Sequence, residues 1–313
     1  MSRPVPRMNA GYALCYNAVA VSEKLVPRNV RPSPIAGTWY PGDSRRLAES
    51  IDRFLENAAG TAPVEGEIVG LIVPHAGHRY SGQVAAYAFA LIRELQPDIV
   101  AILSPLHALA PGQVLTSGHS AYATPLGEIS IDHERQASFE RQLRLVDQID
   151  VQQIVRDQEH ALEIELPFLQ RALRSEFRLL PLMLRDQSKR VVRAVGEALA
   201  SVLERGRSLI VASSDLSHFY PQEIAQKLDH EMLHRIESFQ PEQVLDAETE
   251  GVGFACGRGA VAAALWAARG LGADRVRLLQ HATSGDVTGD MTSVVGYGSA
   301  VIYRTSNPGT GPV

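Results

Sequence analysis

His75, His107 and Cys256 are residue types from which a mononuclear metal site is built. Two neutral imidazoles and a thiolate make a borderline-soft donor set that suits iron, copper or zinc and serves magnesium or calcium poorly. A thiolate needs electropositive surroundings, for which the ion itself, Arg258 and nearby backbone N–H groups are the candidates. Spacing alone does not close the argument, because the chain has neither a CxxC pair nor an HExxH helix. The same residues also read as a buried thiol in a glycine-rich turn and two loop histidines held by hydrogen bonds.

Two further groups carry titratable chemistry. Glu159, His160 and Glu163 follow one another closely, and on a helix His160 and Glu163 share a face, so that Glu163 orients the imidazole. That pair suits proton movement or the outer shell of a metal; a solvated helix start explains it equally well. In the run 213–218, SSDLSH, Asp215 can fix a histidine tautomer and His218 can serve as general acid or base, whereas helix capping by Asp215 and Ser217 is the blander account. His78, Glu159, Arg258 and His281 are further pocket candidates. No G-x-S-x-G elbow supports serine hydrolysis, and residues 253–257 lack the G-x-G-x-x-G spacing of a dinucleotide site. Asp286 and Asp290 read as turn-capping residues rather than calcium ligands.

These side chains need a scaffold that converges them. Residues 68–73 and 99–103 are short apolar runs ending in Pro74–His75 and Pro105–Leu106–His107, with a helical pattern between them at 84–95. That is a βαβ unit, which predicts a parallel strand pair with both histidines at one rim. A third apolar run, 208–213, delivers Asp215 and His218. Strands are also expected at 113–117, 128–131, 178–184, 276–280 and 294–303. Helices are expected from the Asp43/Ser44 cap through Leu55, and at 133–143, 159–173, 189–204, 221–238 and 260–268. Pro167 must bend or break the 159–173 helix. The Pro- and Gly-rich segment 31–43 reads as an ordered loop whose Trp39 and Tyr40 pack inward. No repeat or composition break divides the chain, so one continuous sheet with helices on both faces is expected.

Composition narrows the class. Hydrophobic residues make up 45% and charged residues 21%, ordinary for a globular protein, and the net charge of -5 offers no general attraction to nucleic acid or anionic membrane. No apolar run reaches membrane-span length. With only two cysteines, Cys15 and Cys256, a disulfide framework is not expected and a reducing, cytoplasmic setting is. Asn9 and Asn17 interrupt the weakly apolar N-terminal run, which argues against a secretory leader. Residues 1–30, with Cys15, are expected to form a loosely ordered extension, 31–304 the folded domain and 305–313 a tail.

Several motifs together resemble the Memo family, whose prokaryotic members are called AmmeMemoRadiSam system protein B. They are AGTWYPGD at 36–43, VPHAG at 73–77, DQEHALEIELPF at 157–168, SSDLSH at 213–218, CGRG at 256–259 and TSGDVTGD at 283–290. The resemblance runs from Arg31 to Tyr303. It implies a single-domain, three-layer α/β/α fold similar to the LigB-type class III extradiol dioxygenases, with a largely parallel central sheet and additional mixed strands. It also implies a vestibule whose two histidines and cysteine fall on His75, His107 and Cys256, with the aspartate and histidine after the SSD strand on Asp215 and His218. The cysteine stands where true extradiol dioxygenases have a carboxylate, which argues against ring cleavage. The chain departs from the family at His78, where PHAGY becomes PHAGH, and around His107, where a GPSHH-like segment becomes SPLHA.

The functional expectation is therefore a metal-binding redox protein or oxidoreductase with a His/His/Cys site, Fe(II) favoured over copper or zinc, acting on a small molecule. Radical-SAM and AMMECR1-like proteins are the partners that family association suggests. A non-catalytic protein- or peptide-binding scaffold on the same fold is the alternative, and metal-assisted hydrolysis the weaker one.

Overall fold

The structure, a computed structural model, describes residues 29–306. The expectations for the N-terminal extension, including Cys15, and for the end of the tail lie outside those residues. In chain order the elements are β1 (Val30–Arg31), α1 (Ser44–Asn57), β2 (Gly66–Val73), α2 (His78–Phe89), β3 (Ile99–Pro105), β4 (Val114–Ser117), β5 (Ala121–Thr124), β6 (Gly127–Ser130), α3 (His133–Asp147) and β7 (Val151–Ile154). They continue with α4 (Leu166–Ala172), β8 (Arg178–Leu184), α5 (Lys189–Val202), β9 (Ser208–Ser213), β10 (His218–Tyr220) and α6 (Gln222–Glu237). The last are α7 (Pro241–Thr249), α8 (Arg258–Gly270), β11 (Arg275–Thr283), α9 (Gly285–Thr288) and β12 (Val294–Thr305).

The main sheet runs β10-β12-β2-β9-β3-β8-β4-β7, with β11 also paired to β12, and β1-β5-β6 form a small second sheet. Strand alternation builds the layers. Ile99, Ala101 and Leu103 of β3, with Ile210 and Ala212 of β9, face a core shared with α3, α5, α6, α7 and α8. Val100 and Ile102, with Leu209 and Val211, face the opposite core with α1, α2 and α4. The result is a three-layer α/β domain, helices on both faces of one sheet. Among the described residues no helix is long and apolar enough to cross a membrane.

Two topological expectations change. The sheet is evenly mixed rather than largely parallel. β2, β9, β3 and β8 pair in parallel, as do β4 and β7, but β12 runs antiparallel to β2, β10 and β11, and β4 antiparallel to β8. The β2 and β3 strands point the same way but are not partners, because β9 lies between them. A local βαβ pattern specifies direction and handedness; it says nothing about a strand that arrives more than a hundred residues later.

The helix expected over 159–173 is also much shorter. Residues 157–162 are irregular, Glu163–Glu165 form one 3₁₀ turn, and α4 begins at Leu166 with Pro167 in its first turn. Proline at that position lacks only an N–H that no helical partner needs, so it starts the helix instead of bending it. α1 follows expectation, with the Asp43 carboxylate capping the Arg46 N–H at 2.9 Å and Leu47, Ile51 and Leu55 buried.

Candidate metal centre

Three parallel neighbours, β2, β9 and β3, end at one rim and deliver His75, Ser213–Asp215 and His107 respectively. His160 reaches the same place from the irregular segment after β7. One donor atom from each of His75, His107 and His160 can be chosen so that all three lie within 4.8 Å of one another. The rings pack tightly. His107 stacks on His160 with centroids 4.8 Å apart, and His75 meets each of them edge-on at 5.4 Å. Trp39, from the aromatic loop expected to pack inward, lies against the His160 ring with centroids 4.1 Å apart.

Glu159 organises this cluster. Its Oε1 accepts from His107 Nδ1 at 2.9 Å and from the N–H groups of His160 and Ala161 at 3.0 Å. Its Oε2 accepts from the His107 N–H at 2.6 Å. Burial opposes the charge, but the hydrogen bonds from the His107 ring and from the N–H groups of Ala161 and His107 outweigh it and bring the carboxyl down to about 2. The bond to this carboxylate in turn raises His107 above its ordinary value, while burial lowers His160 to about 4 and holds His75 well below the usual range.

Donor roles assign the tautomers. His107 donates Nδ1–H to Glu159, and His75 Nδ1 lies 2.9 Å from Ser213 Oγ. His107 thus carries its lone pair on Nε2, and the Nε2 of His75 lies 3.1 Å from the Cys256 Sγ. Neutral imidazoles anchored through Nδ1 by a carboxylate or hydroxyl are the arrangement that protein metal ligands adopt. The donor set fits iron, copper or zinc and does not fit magnesium or calcium.

Cys256 requires a correction. The ligand set expected from the sequence was His75, His107 and Cys256; the group that converges among the described residues is His75, His107 and His160. The Cys256 Sγ touches one member only at hydrogen-bond range, lying 3.1 Å from His75 Nε2 and 3.6 Å from the Asp215 carbonyl. Burial, and then the Asp215 carboxyl, push the thiol far above its ordinary range, so in the metal-free protein it keeps its proton. Arg258 does not relieve this, because it is paired with Glu248. Gly257 allows the close turn: a Cβ there would sit 2.4 Å from the Ser213 carbonyl oxygen.

The remaining candidates separate into two groups. Asp215 and His218 stay at the rim. Asp215 is buried, its Oδ1 accepting from the N–H of His75 at 2.7 Å and of Ala76 at 3.2 Å, and burial raises it to about 7 against those two bonds. Its work is to hold the His75 loop. His218 donates Nδ1–H to the Leu216 carbonyl at 2.8 Å; burial, together with the nearby His107, lowers its pKa. That leaves Nε2 as the nitrogen of the neutral ring that carries the lone pair.

Glu163, His78, His281 and Arg258 lie outside it. Glu163 does not orient His160: with no helix through 159–162 the two residues share no face, and Glu163 instead binds Arg31, Ser33 and Tyr40. Arg31 clamps the whole segment, pairing also with Asp157 at 2.7 Å and with the Glu159 carbonyl at 2.8 Å. His78 turns into the core between Tyr40 and Phe168, with Nε2 on the Ile164 carbonyl at 3.0 Å, and burial lowers it to about 4. His281 pairs with Asp229 at 2.9 Å, whose other oxygen accepts the Ser217 N–H, so this pair braces the turn that carries His218. Arg258 lines a separate cavity of about 850 Å³ with Arg185, Gln187, Lys189 and Asp246. Sequence reasoning missed Ser213, Glu165 and Trp39 as neighbours of the site. The only signal was their place inside motifs already noted.

Comparison with known proteins agrees with the motifs. A MEMO1 family protein of Nitrosopumilus maritimus is 35% identical over 274 residues, covering 86% of this chain and 98% of that protein. Another from Methanothermobacter thermautotrophicus is 36% identical over 276 residues, covering 86% and 98%. Among solved structures, an uncharacterized protein of Escherichia coli K12 aligns with a TM-score of 0.42 at 12% identity, covering 75% of this chain and 99% of that one, a likeness too distant to carry an argument. The profile of the Memo-like protein family matches residues 31–301, and on that match and those relatives the chain belongs to the Memo family.

Proposed function

We propose that this protein is a metal-dependent enzyme acting on a small molecule at the His75–His107–His160 cluster. One observation carries the reading: three imidazole donors within 4.8 Å of one another. A three-histidine set leaves a coordination position open, the mark of catalytic rather than structural sites. A divalent ion bound there supplies Lewis acidity and a place for a small oxygen-bearing ligand. The family resemblance favours Fe(II), and with it an oxidoreductase, over copper or zinc.

The chain's own groups divide the work around that ion. Glu159 and Ser213 hold His107 and His75 in the ligating tautomer, Arg31 and Trp39 fix the segment bearing His160, and Asp215 anchors the His75 loop. His218, neutral and with Nε2 free, takes or returns a proton at the bound ligand. The LigB-type comparison and the radical-SAM and AMMECR1-like partners belong to this proposal through the family alone.

The test is anaerobic reconstitution with Fe(II), Zn(II) and Cu(II), each followed by metal analysis of the wild type and of His160→Ala. Stoichiometric uptake by the wild type and its loss in the variant support the site. Equal uptake by both proteins ends the proposal. Oxygen consumption by the Fe(II)-loaded form, absent in the zinc form, supports the oxidoreductase; turnover with zinc in the absence of oxygen replaces it with hydrolysis.

A further inference from the structure

The carboxyl of Glu165 is buried at the end of the 3₁₀ turn, facing Ser213 Oγ at 2.8 Å. Unlike Glu163, which has Arg31, it has no cation paired with it among the described residues. Ser213 Oγ has two other close neighbours, the Ala161 carbonyl oxygen at 2.6 Å and His75 Nδ1 at 2.9 Å.

A hydroxyl has one proton to give and two lone pairs to fill. The Ala161 carbonyl can only accept, so at 2.6 Å the Ser213 proton belongs to it. The contacts to Glu165 and His75 must then be bonds that Ser213 receives. An ionised Glu165 would compete for the same proton and leave one oxygen–oxygen contact without any. A charge buried without a counterion is also strongly disfavoured.

We infer that Glu165 is a neutral carboxylic acid that donates to Ser213, and that through Ser213 it fixes His75 as the Nδ1–H tautomer, with the lone pair on Nε2, the nitrogen that faces the Cys256 thiol in the metal-free protein. Burial, opposed by the bond to Ser213 and reinforced by Asp215, acts in the same direction on Glu165. Ala161 adjoins His160, so Ser213 ties two members of the cluster to one atom. Glu165 is thus a positioning residue. This role rests on reading the three histidines as a metal site, but its key observables do not need the metal.

Infrared difference spectra of the metal-free protein and of Glu165→Gln test the protonation. A neutral carboxylic acid carbonyl band at neutral pH, sensitive to deuterium exchange and absent from the variant, is expected; its absence from the wild type overturns the inference. Imidazole nitrogen NMR tests the tautomer. His75 should be Nδ1–H in the wild type and in E165Q, whose amide still donates, and should become mixed in E165L and S213A. Zinc titration should follow the same order, with E165Q within about threefold of wild type and S213A weaker by roughly 10–100-fold, the usual effect of an outer-shell loss. E165Q behaving like S213A in either measurement refutes the donor role. If E165Q does not fold, a shift of the acid band in S213A makes the same assignment, and an unshifted band refutes it. Failure of the wild type to bind zinc would remove the metal reading and leave the infrared and NMR results standing.

Discussion

Glu159→Gln is the substitution that most directly probes how the cluster is held. The carboxylate accepts four hydrogen bonds, three on Oε1 and one on Oε2. Glutamine has the same shape but only one acceptor oxygen, which will take the Oε1 position because three donors converge there. Its NH₂ group then faces the His107 N–H, donor against donor. An N–H left unpaired costs about 1–3 kcal/mol, and the three surviving bonds lose their charge assistance, so a net loss of about 2–4 kcal/mol is expected. Urea denaturation of metal-free protein should show it.

Zinc affinity should fall by roughly 10–100-fold, because the bond that fixes the His107 tautomer loses its charge assistance and the His107 backbone N–H loses its acceptor. The pH profile should move in a defined direction. The bond to Glu159 raises the His107 pKa, and a proton on that ring competes with the ion. Affinity therefore climbs with pH and levels off above the raised value. Without the carboxylate the value drops, so E159Q should level off at lower pH and at a weaker plateau. Calorimetric zinc titrations across pH measure both quantities. A plateau affinity equal to wild type, or a profile displaced to higher pH, would refute the reasoning.

Cys256→Ser should keep stoichiometric metal, whereas His160→Ala should lose more affinity than any outer-shell change; metal analysis after dialysis decides between the two ligand sets. Arg31→Ala leaves Asp157 and Glu163 without their buried counter-charge and should cost about 3–5 kcal/mol in urea denaturation, the range for breaking a buried ion pair. Gly257→Ala forces a Cβ to within 2.4 Å of the Ser213 carbonyl and should destabilise by about 1–3 kcal/mol, with a matching fall in zinc affinity as β9 is displaced. Unchanged melting of G257A would mean that the turn yields without moving Ser213.

Much of the frame was legible in the residues. Short apolar runs stopping at Pro and His, the Asp43 cap and the amphipathic stripe of α1 are local signals, and local sterics and burial decide them. His75, His107, Asp215 and His218 could be placed at one rim for the same reason: each follows a parallel strand, and parallel strands end together. The insertion of β9 between β2 and β3, and the reversal of β12, depend on contacts between segments distant in sequence, which no window of residues contains.

The site turned on the same distinction. Sequence supplied histidines and a cysteine of suitable chemistry, but not which of them would be charged or where the rings would point. Only the folded chain decided that a buried thiol beside Asp215 keeps its proton, and that Arg31 draws Glu163 away from His160. It also decided that an irregular segment, rather than a helix, carries His160 to the other two rings. Protonation and convergence follow from burial and from partners brought together across the chain, and those exist only once the tertiary structure has formed.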